Sequence, residues 1–453
     1  MIDSYLVINS YCQLYTERVI VISNARCINM LSSLFCVVLA FICCSTLIQA
    51  DEKIGPWNLT KLKQVPEMQW VDQTGPVHSL LYSGEEYQGH ATEAFAFYAS
   101  PITLGKAKAG QTFPGVVLIH GGGGTAFAEW AYLWAERGYA AIAMDLSGHR
   151  PPDPVYDATT GLPVKNQASR RAGRTRLPNG GPDQSHNEKF ESIGGGTDDD
   201  WPYHAAANVI RAHSLLRSFP EVNAEQTGVT GISWGGYTTC LVASLDDRFK
   251  AAVPVYGCGF LHEGESVQKP SIDRLGQRRQ KWVEEYDPSS LLVHCHVPIL
   301  FVNGTNDVHY VLDSYQKSYD VVPGFKQMRI EVKMSHSHPA GWAPQEIGIF
   351  IDSFCLNKPA LPVPDQLKDE DGKIIVTYKS DLPLKAAALH YTTDEGLRSK
   401  RDWVSVPAEF NKNQITVASP PGNANTWFVS MTDERGAMVT TPVQFQPALI
   451  NNE

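Results

Sequence analysis

Between residues 114 and 355, short apolar runs rich in β-branched residues alternate with longer amphipathic ones. Parallel strands are buried on both faces and read as unbroken apolar runs, and the helices that connect them need only one apolar stripe. The alternation therefore predicts parallel strands joined by covering helices. Strands are predicted over 115–120, 140–145, 227–232, 250–256, 298–303 and 328–334, and helices over 126–137, 202–217, 234–244, 312–319 and 344–355. Pro202 behind Asp200 marks a helix start, because a proline in the first turn gives up an N–H that has no partner there anyway. The expected fold class is α/β, with a doubly wound, mostly parallel sheet. Ahead of it, EAFAFYASP at 93–101 predicts one or two antiparallel strands leading into the sheet.

Two segments break the pattern. Residues 151–200 carry Pro, Gly, Asp and the four arginines 170, 171, 174 and 176 without periodicity, which reads as an insertion over the strand ends or a solvated excursion. After Asn357-Lys358-Pro359 the runs KIIVTYKS, LKAAALHYTT, DWVSVPAEF, QITVASP and NTWFVSMTD alternate with a period of two, predicting a small all-β sandwich over 359–453. Its Trp403 and Trp427 read first as packing residues and second as platforms for a polysaccharide. The expected organisation is a leader over 1–50, a catalytic domain over 51–358 and this β domain.

Composition narrows the function. With 43% hydrophobic and 19% charged residues in 453, the chain is of the globular class. Thirty-eight basic against 48 acidic residues leave a net charge of −10 and no positive field to collect phosphates, so nucleic acid is not an expected partner. The run LSSLFCVVLAFICCSTLIQA at 31–50, followed at once by Asp51-Glu52-Lys53, reads as a secretory signal cleaved after Ala50, giving a secreted or periplasmic protein. An uncleaved anchor is the alternative, since the run approaches the ~20 apolar residues that span a bilayer. A membrane is a partner only in that case. Met30 is an alternative start, and a lipid on Cys43 or Cys44 is disfavoured because no small residue precedes either. Of nine cysteines, only Cys240, Cys258, Cys295 and Cys355 lie beyond the leader; all fall in or beside apolar segments, as small buried hydrophobes, with at most one bridge expected.

The candidate chemistry lies at the predicted strand ends. Gly231-Ile232-Ser233-Trp234-Gly235-Gly236 follows an apolar strand and opens a helix. A serine on that turn is lifted clear of the sheet, and the helix aims its free N–H groups at the reacting oxygen. Such a nucleophile needs a base, and the base needs an acid to hold its tautomer. In chain order these are Asp307, in the loop after PILFVN, and His336, after MRIEVKM; His338 is the alternative base. Oxyanion donors are expected from the Trp234 amide and from Gly122 or Gly123 of the run His120-Gly121-Gly122-Gly123-Gly124. Trp234, Tyr310 and Trp342 offer flat faces to a substrate. The pairs His294/His296 and His336/His338 raise a metal reading, but spacing supplies no third ligand, and the chemistry needs no cofactor.

Ser233-Trp234-Gly235-Gly236-Tyr237 together with Gly304-Thr305-Asn306-Asp307 resembles the prolyl-oligopeptidase and dienelactone-hydrolase branches of the α/β-hydrolases, over about 95–356. Within that range the chain is also similar to secreted bacterial hydrolases of the acetylxylan-esterase type, some of which carry a small β domain behind the catalytic one. The resemblance implies an α/β-hydrolase fold and a Ser-Asp-His triad on Ser233, Asp307 and His336. Trp234 stands where the carbohydrate deacetylases often have Gln, and residues 51–113 are too few for the propeller of the oligopeptidases. The expected activity is hydrolysis of a small-molecule or polysaccharide ester, with peptidase activity or a silent binding scaffold as alternatives.

Overall fold

The computed structural model describes residues 52–164 and 173–446; the leader and Arg170 and Arg171 lie outside them. A 14-stranded sheet runs through the described chain. Its N-terminal part comprises β1 (Met68–Asp72), β2 (His78–Ser83), β3 (Glu93–Ala99), β4 (Phe113–Ile119), β5 (Ala140–Met144), β6 (Val222–Ile232), β7 (Ala251–Val255), β8 (Ile299–Gly304) and β9 (Lys326–Glu331). Helices α1 (Ala128–Glu136), α2 (Trp201–Ser218), α3 (Trp234–Leu245), α4 (Leu312–Val321), α5 (His338–Trp342) and α6 (Gln345–Leu356) connect and cover these strands. The order β9-β8-β7-β6-β4-β5 is parallel throughout. Chain direction across the sheet reverses between β4 and β6, which makes their carboxyl ends the topological switch point where ligands gather in this architecture.

Each parallel strand matches an apolar run because both faces are covered: Val116 to Ile119, Ala140 to Ala143 and Ile299 to Val302 are 0–1% exposed. Three antiparallel strands, not one or two, precede the parallel set, in the order β5-β3-β2-β1. The third was missed because β1 is a largely exposed edge whose MQWVD carries no apolar alternation.

The β region from 359 onward holds two sheets, as a sandwich requires. Val363–Glu370, Lys373–Lys379, Gln414–Ala418 and Glu409–Phe410 form one of them. The other is continuous with the parallel sheet: Met438–Thr440 pairs with β9 at Met328, and Thr426–Asp433 and Leu384–Thr392 follow outward. Inward-facing Ile374, Val376, Ile415 and Leu389 belong to the same hydrophobic core as the parallel strands. Trp427 is 3% exposed and buried in that core, so it packs rather than presents a platform. The four cysteines of the described chain are all free and buried.

The turn from β6 into α3 is built on close backbone approach. A Cβ on Gly235 would run into the carbonyl oxygen of Ile119 on the neighbouring strand. The atoms it would meet are all backbone of Ile119 and His120, with no flexible side chain to yield, so Gly235→Ala is expected to destabilise the chain by about 3 kcal/mol or more. Thermal or urea unfolding of the variant checks this.

Three imidazoles are sealed in the interior: His120, His204 and His213 are 1% exposed or less. Burial holds each below its ordinary pKa. The folded chain therefore takes up protons on them less readily than the unfolded chain, which binds them below about pH 6.5, so stability present above that pH is lost on acidification. Each contributes up to about 1.4 kcal/mol per pH unit. Buried Asp200, raised by desolvation to about 6, acts in the opposite sense and offsets one of them. Denaturant unfolding at pH 7 and pH 5.5 is expected to give a clearly lower midpoint in acid; a flat profile would contradict the buried neutral imidazoles.

Candidate active site

Ser233 occupies the tip of the β6–α3 turn with φ 60° and ψ −117°, a region that non-glycine residues avoid. Such strain persists only where surrounding packing over-determines it. Here the Ser233 amide donates to Val255 O and its carbonyl accepts from the Tyr237 N–H, both at 2.8 Å. The side chain is left half-buried rather than packed away.

The Nε2 of His336 stands 2.9 Å from Ser233 Oγ, and its Nδ1 stands 2.6 Å from Asp307 Oδ2. Asp307 is 5% exposed, and its other oxygen accepts the backbone N–H of His309 at 2.7 Å and of Tyr310 at 3.0 Å. One oxygen is thus spent on fixing the loop and the other faces the imidazole. The carboxylate is an acceptor, so the proton of His336 lies on Nδ1 and the lone pair of Nε2 meets the serine hydroxyl. The neighbouring Asn306 Nδ2 donates to the carbonyls of Ser399 and Arg401, tying the acid loop to the β region.

Two aromatic residues that the sequence reading did not single out hold the His336 imidazole. Tyr256, at φ 53°, lays its ring against His336 with centroids 4.5 Å apart and donates its hydroxyl to Ser335 O at 2.6 Å. His309 tilts against the same His336 imidazole at 4.7 Å; burial first, and the neighbouring His336 second, hold its own pKa below the ordinary value. The available signal was positional, since both follow strand ends at the carboxyl edge, as Ser233 and Asp307 do.

His338, the alternative base, is engaged elsewhere: its Nε2 accepts the Gly121 N–H at 2.9 Å. The glycine run lies against Ser233, and a Cβ on Gly121 would stand 3.0 Å from Ser233 Cβ. Among the described residues no acceptor meets the N–H of Gly122, Gly123 or Trp234, and Gly122 is exposed. Trp234 as the first helical residue has no intrahelical acceptor to find. Its side chain is 4% exposed, walled by Phe190 and Trp201, with Lys189 Nζ 4.5 Å above the ring. Phe190 and Lys189 come from the 151–200 insertion, whose turn at Asn187–Glu191 therefore packs over the start of α3.

Two of the proposed substrate faces are corrected. Tyr310 is 0% exposed and lies behind the imidazole, so it cannot touch a ligand. Its backbone, not its ring, reaches the site, because the turn that presents Asp307 buries the next aromatic residue. Trp234 likewise spends its faces on packing. Trp342 is half-buried against Phe127 at 5.5 Å and Trp130 at 5.6 Å.

The model of the dienelactone hydrolase family matches residues 102–332, and that of the PhoPQ-activated pathogenicity-related proteins matches 270–403. No curated protein matches. Among solved structures, the acetyl xylan esterase of Paenibacillus sp. R4 is similar at 18% identity and a TM-score of 0.49, covering 66% of this chain and 92% of that one. Acetyl xylan esterase 1 of Thermoanaerobacterium sp. JW/SL YS485 aligns at 14% identity and 0.46, covering 68% and 95%. The acylaminoacyl peptidase of Pyrococcus horikoshii aligns at 18% and 0.40, covering 62% of this chain but 39% of the peptidase. With the family model spanning more than half of its length, over an α/β sheet of the expected kind, this chain belongs to the dienelactone hydrolase family and is a hydrolase of the ester-cleaving type.

Proposed function

We propose that this chain is a secreted serine esterase acting through Ser233, His336 and Asp307, with an acetyl ester on a polysaccharide as its substrate class. The observation that carries the reading is the unbroken hydrogen-bond relay from Asp307 Oδ2 through His336 to Ser233 Oγ, at 2.6 and 2.9 Å, on a strained elbow at the switch point of the sheet. His336 Nε2 takes the hydroxyl proton as Ser233 Oγ attacks the ester carbonyl, and Asp307 stabilises the imidazolium. The oxyanion accepts from the Trp234 amide and from Gly122 or Gly123, each such donor supplying about 3 kcal/mol. Collapse expels the alcohol, which leaves with the proton from His336. Water, deprotonated by the same nitrogen, then attacks the acyl-serine; the acid is released and Oγ regains its proton. Every atom in the cycle comes from enzyme, ester and water.

The substrate class is supported by the similarity of the range 95–356 as a whole to secreted acetylxylan-type esterases, and secretion by the apolar run ending at Ala50. A panel of acetylated xylan, p-nitrophenyl esters of increasing acyl length and aminoacyl amides, given to the form starting at Asp51, tests both levels. Fast release of acetate from the xylan is expected. Preference for amides would overturn the ester reading, and preference for long acyl chains the acetyl one.

A further inference from the structure

A run of four glycines is the loosest backbone a chain can supply, yet oxyanion donors act only when held in place before the reaction. Its looseness cannot be designed out by adding side chains: a Cβ on Gly121 would press on Ser233 Cβ, and one on Gly124 would stand 3.0 Å from His338 Nε2. Order must come from outside the run. The Gly121 peptide groups are pinned from both sides, its N–H by His338 Nε2 at 2.9 Å and its carbonyl by His120 Nδ1 at 2.8 Å and the Gly124 N–H at 3.1 Å. His120 is fixed in turn, since its Nε2 accepts the Leu146 N–H at 2.9 Å. His338 sits two residues beyond the base and packs its ring on Phe127 at 4.8 Å.

We infer that His338 is a positioning residue of the proposed esterase: it ties the loop that carries His336 to the glycine turn and thereby holds the Gly122 and Gly123 amides in place against Ser233. The inference rests on the esterase reading above. An imidazole suits the task because it must accept, never donate, toward Gly121. Burial, with His120 and His336 as neighbours, depresses its pKa to about 3, which keeps that lone pair through the range in which a histidine base works.

The test compares His338→Phe with His338→Gln in the full chain, on p-nitrophenyl acetate, with rates expressed per site titrated by a fluorophosphonate. Phenylalanine keeps the packing on Phe127 and removes the acceptor; glutamine returns an acceptor oxygen. The phenylalanine variant is expected to lose about ten- to a hundredfold in kcat with KM within about threefold, and to bind phenylboronic acid, a tetrahedral mimic, more weakly by a similar factor. The glutamine variant is expected to recover most of both losses. Equal losses in the two variants, or an unchanged kcat per titrated site with only a lower Tm, would overturn the inference. Amide exchange in the unmodified protein needs no variant to fold: Gly121 is expected to exchange at least about a hundredfold more slowly than Gly122, and equal rates would overturn it as well. Ser233→Ala, assayed alongside, separates the two levels, because activity surviving there sinks the esterase reading itself.

Discussion

Replacing Ser233 by alanine is expected to lower ester hydrolysis on the order of 10⁵-fold while leaving the fold intact. The size follows from losing the covalent route altogether: what remains is substrate binding and the oxyanion donors, which in triad enzymes retain only about 10³–10⁴ over water. The fold should survive because Ser233 uses its backbone, not its hydroxyl, to hold the turn, donating to Val255 O and accepting from the Tyr237 N–H. Relief of the φ 60° strain is not expected either, since alanine tolerates that region no better than serine. The measurement is the steady-state rate on p-nitrophenyl acetate together with Tm. A variant as active as the parent would show that another group is the nucleophile.

Asp307→Asn is expected to cost about 10⁴-fold in kcat, with KM little changed. Asparagine fits the space and its carbonyl oxygen can still accept from the His309 and Tyr310 amides, so the turn should persist. Its NH₂ then faces His336 Nδ1, and that nitrogen must become an acceptor. The ring proton moves to Nε2, where it points at Ser233 Oγ instead of leaving a lone pair to receive the hydroxyl proton. The charge that would stabilise the imidazolium is lost with it. A kcat within tenfold of the parent would mean that Asp307 is not the acid partner of the base.

The parallel strands were legible because burial on both faces forces each into an apolar run, and the helices because their stripes have the right period. The six predicted strands and five helices have counterparts within a few residues, apart from the Val222 extension of β6. β1 was not legible: an exposed edge strand is under no hydrophobic constraint. Nor could the period-two grammar after 359 indicate that Met438–Thr440 adds to β9, since pairing partners leave no mark on a strand's own pattern.

At the site, Ser233, Asp307 and His336 could be nominated because fold geometry ties each to a strand end, and the structure brings their side chains into one hydrogen-bonded chain. His336 and His338 were harder to separate. Both follow β9, and only the position of the glycine run, from more than 200 residues earlier, decides which ring faces Ser233 and which takes the Gly121 amide. Tyr310 was misread for a related reason. Adjacency to Asp307 says nothing about the side of the turn on which an aromatic ring is buried.

The most direct measurement is covalent: the chain is incubated with a fluorophosphonate, digested and mapped by mass spectrometry, with His336→Ala in parallel. The relay predicts one adduct per chain, on the peptide carrying Ser233, forming at least about a hundredfold more slowly without His336. No adduct on the folded protein, an adduct on a different serine, or equal labelling rates with and without His336 would contradict it.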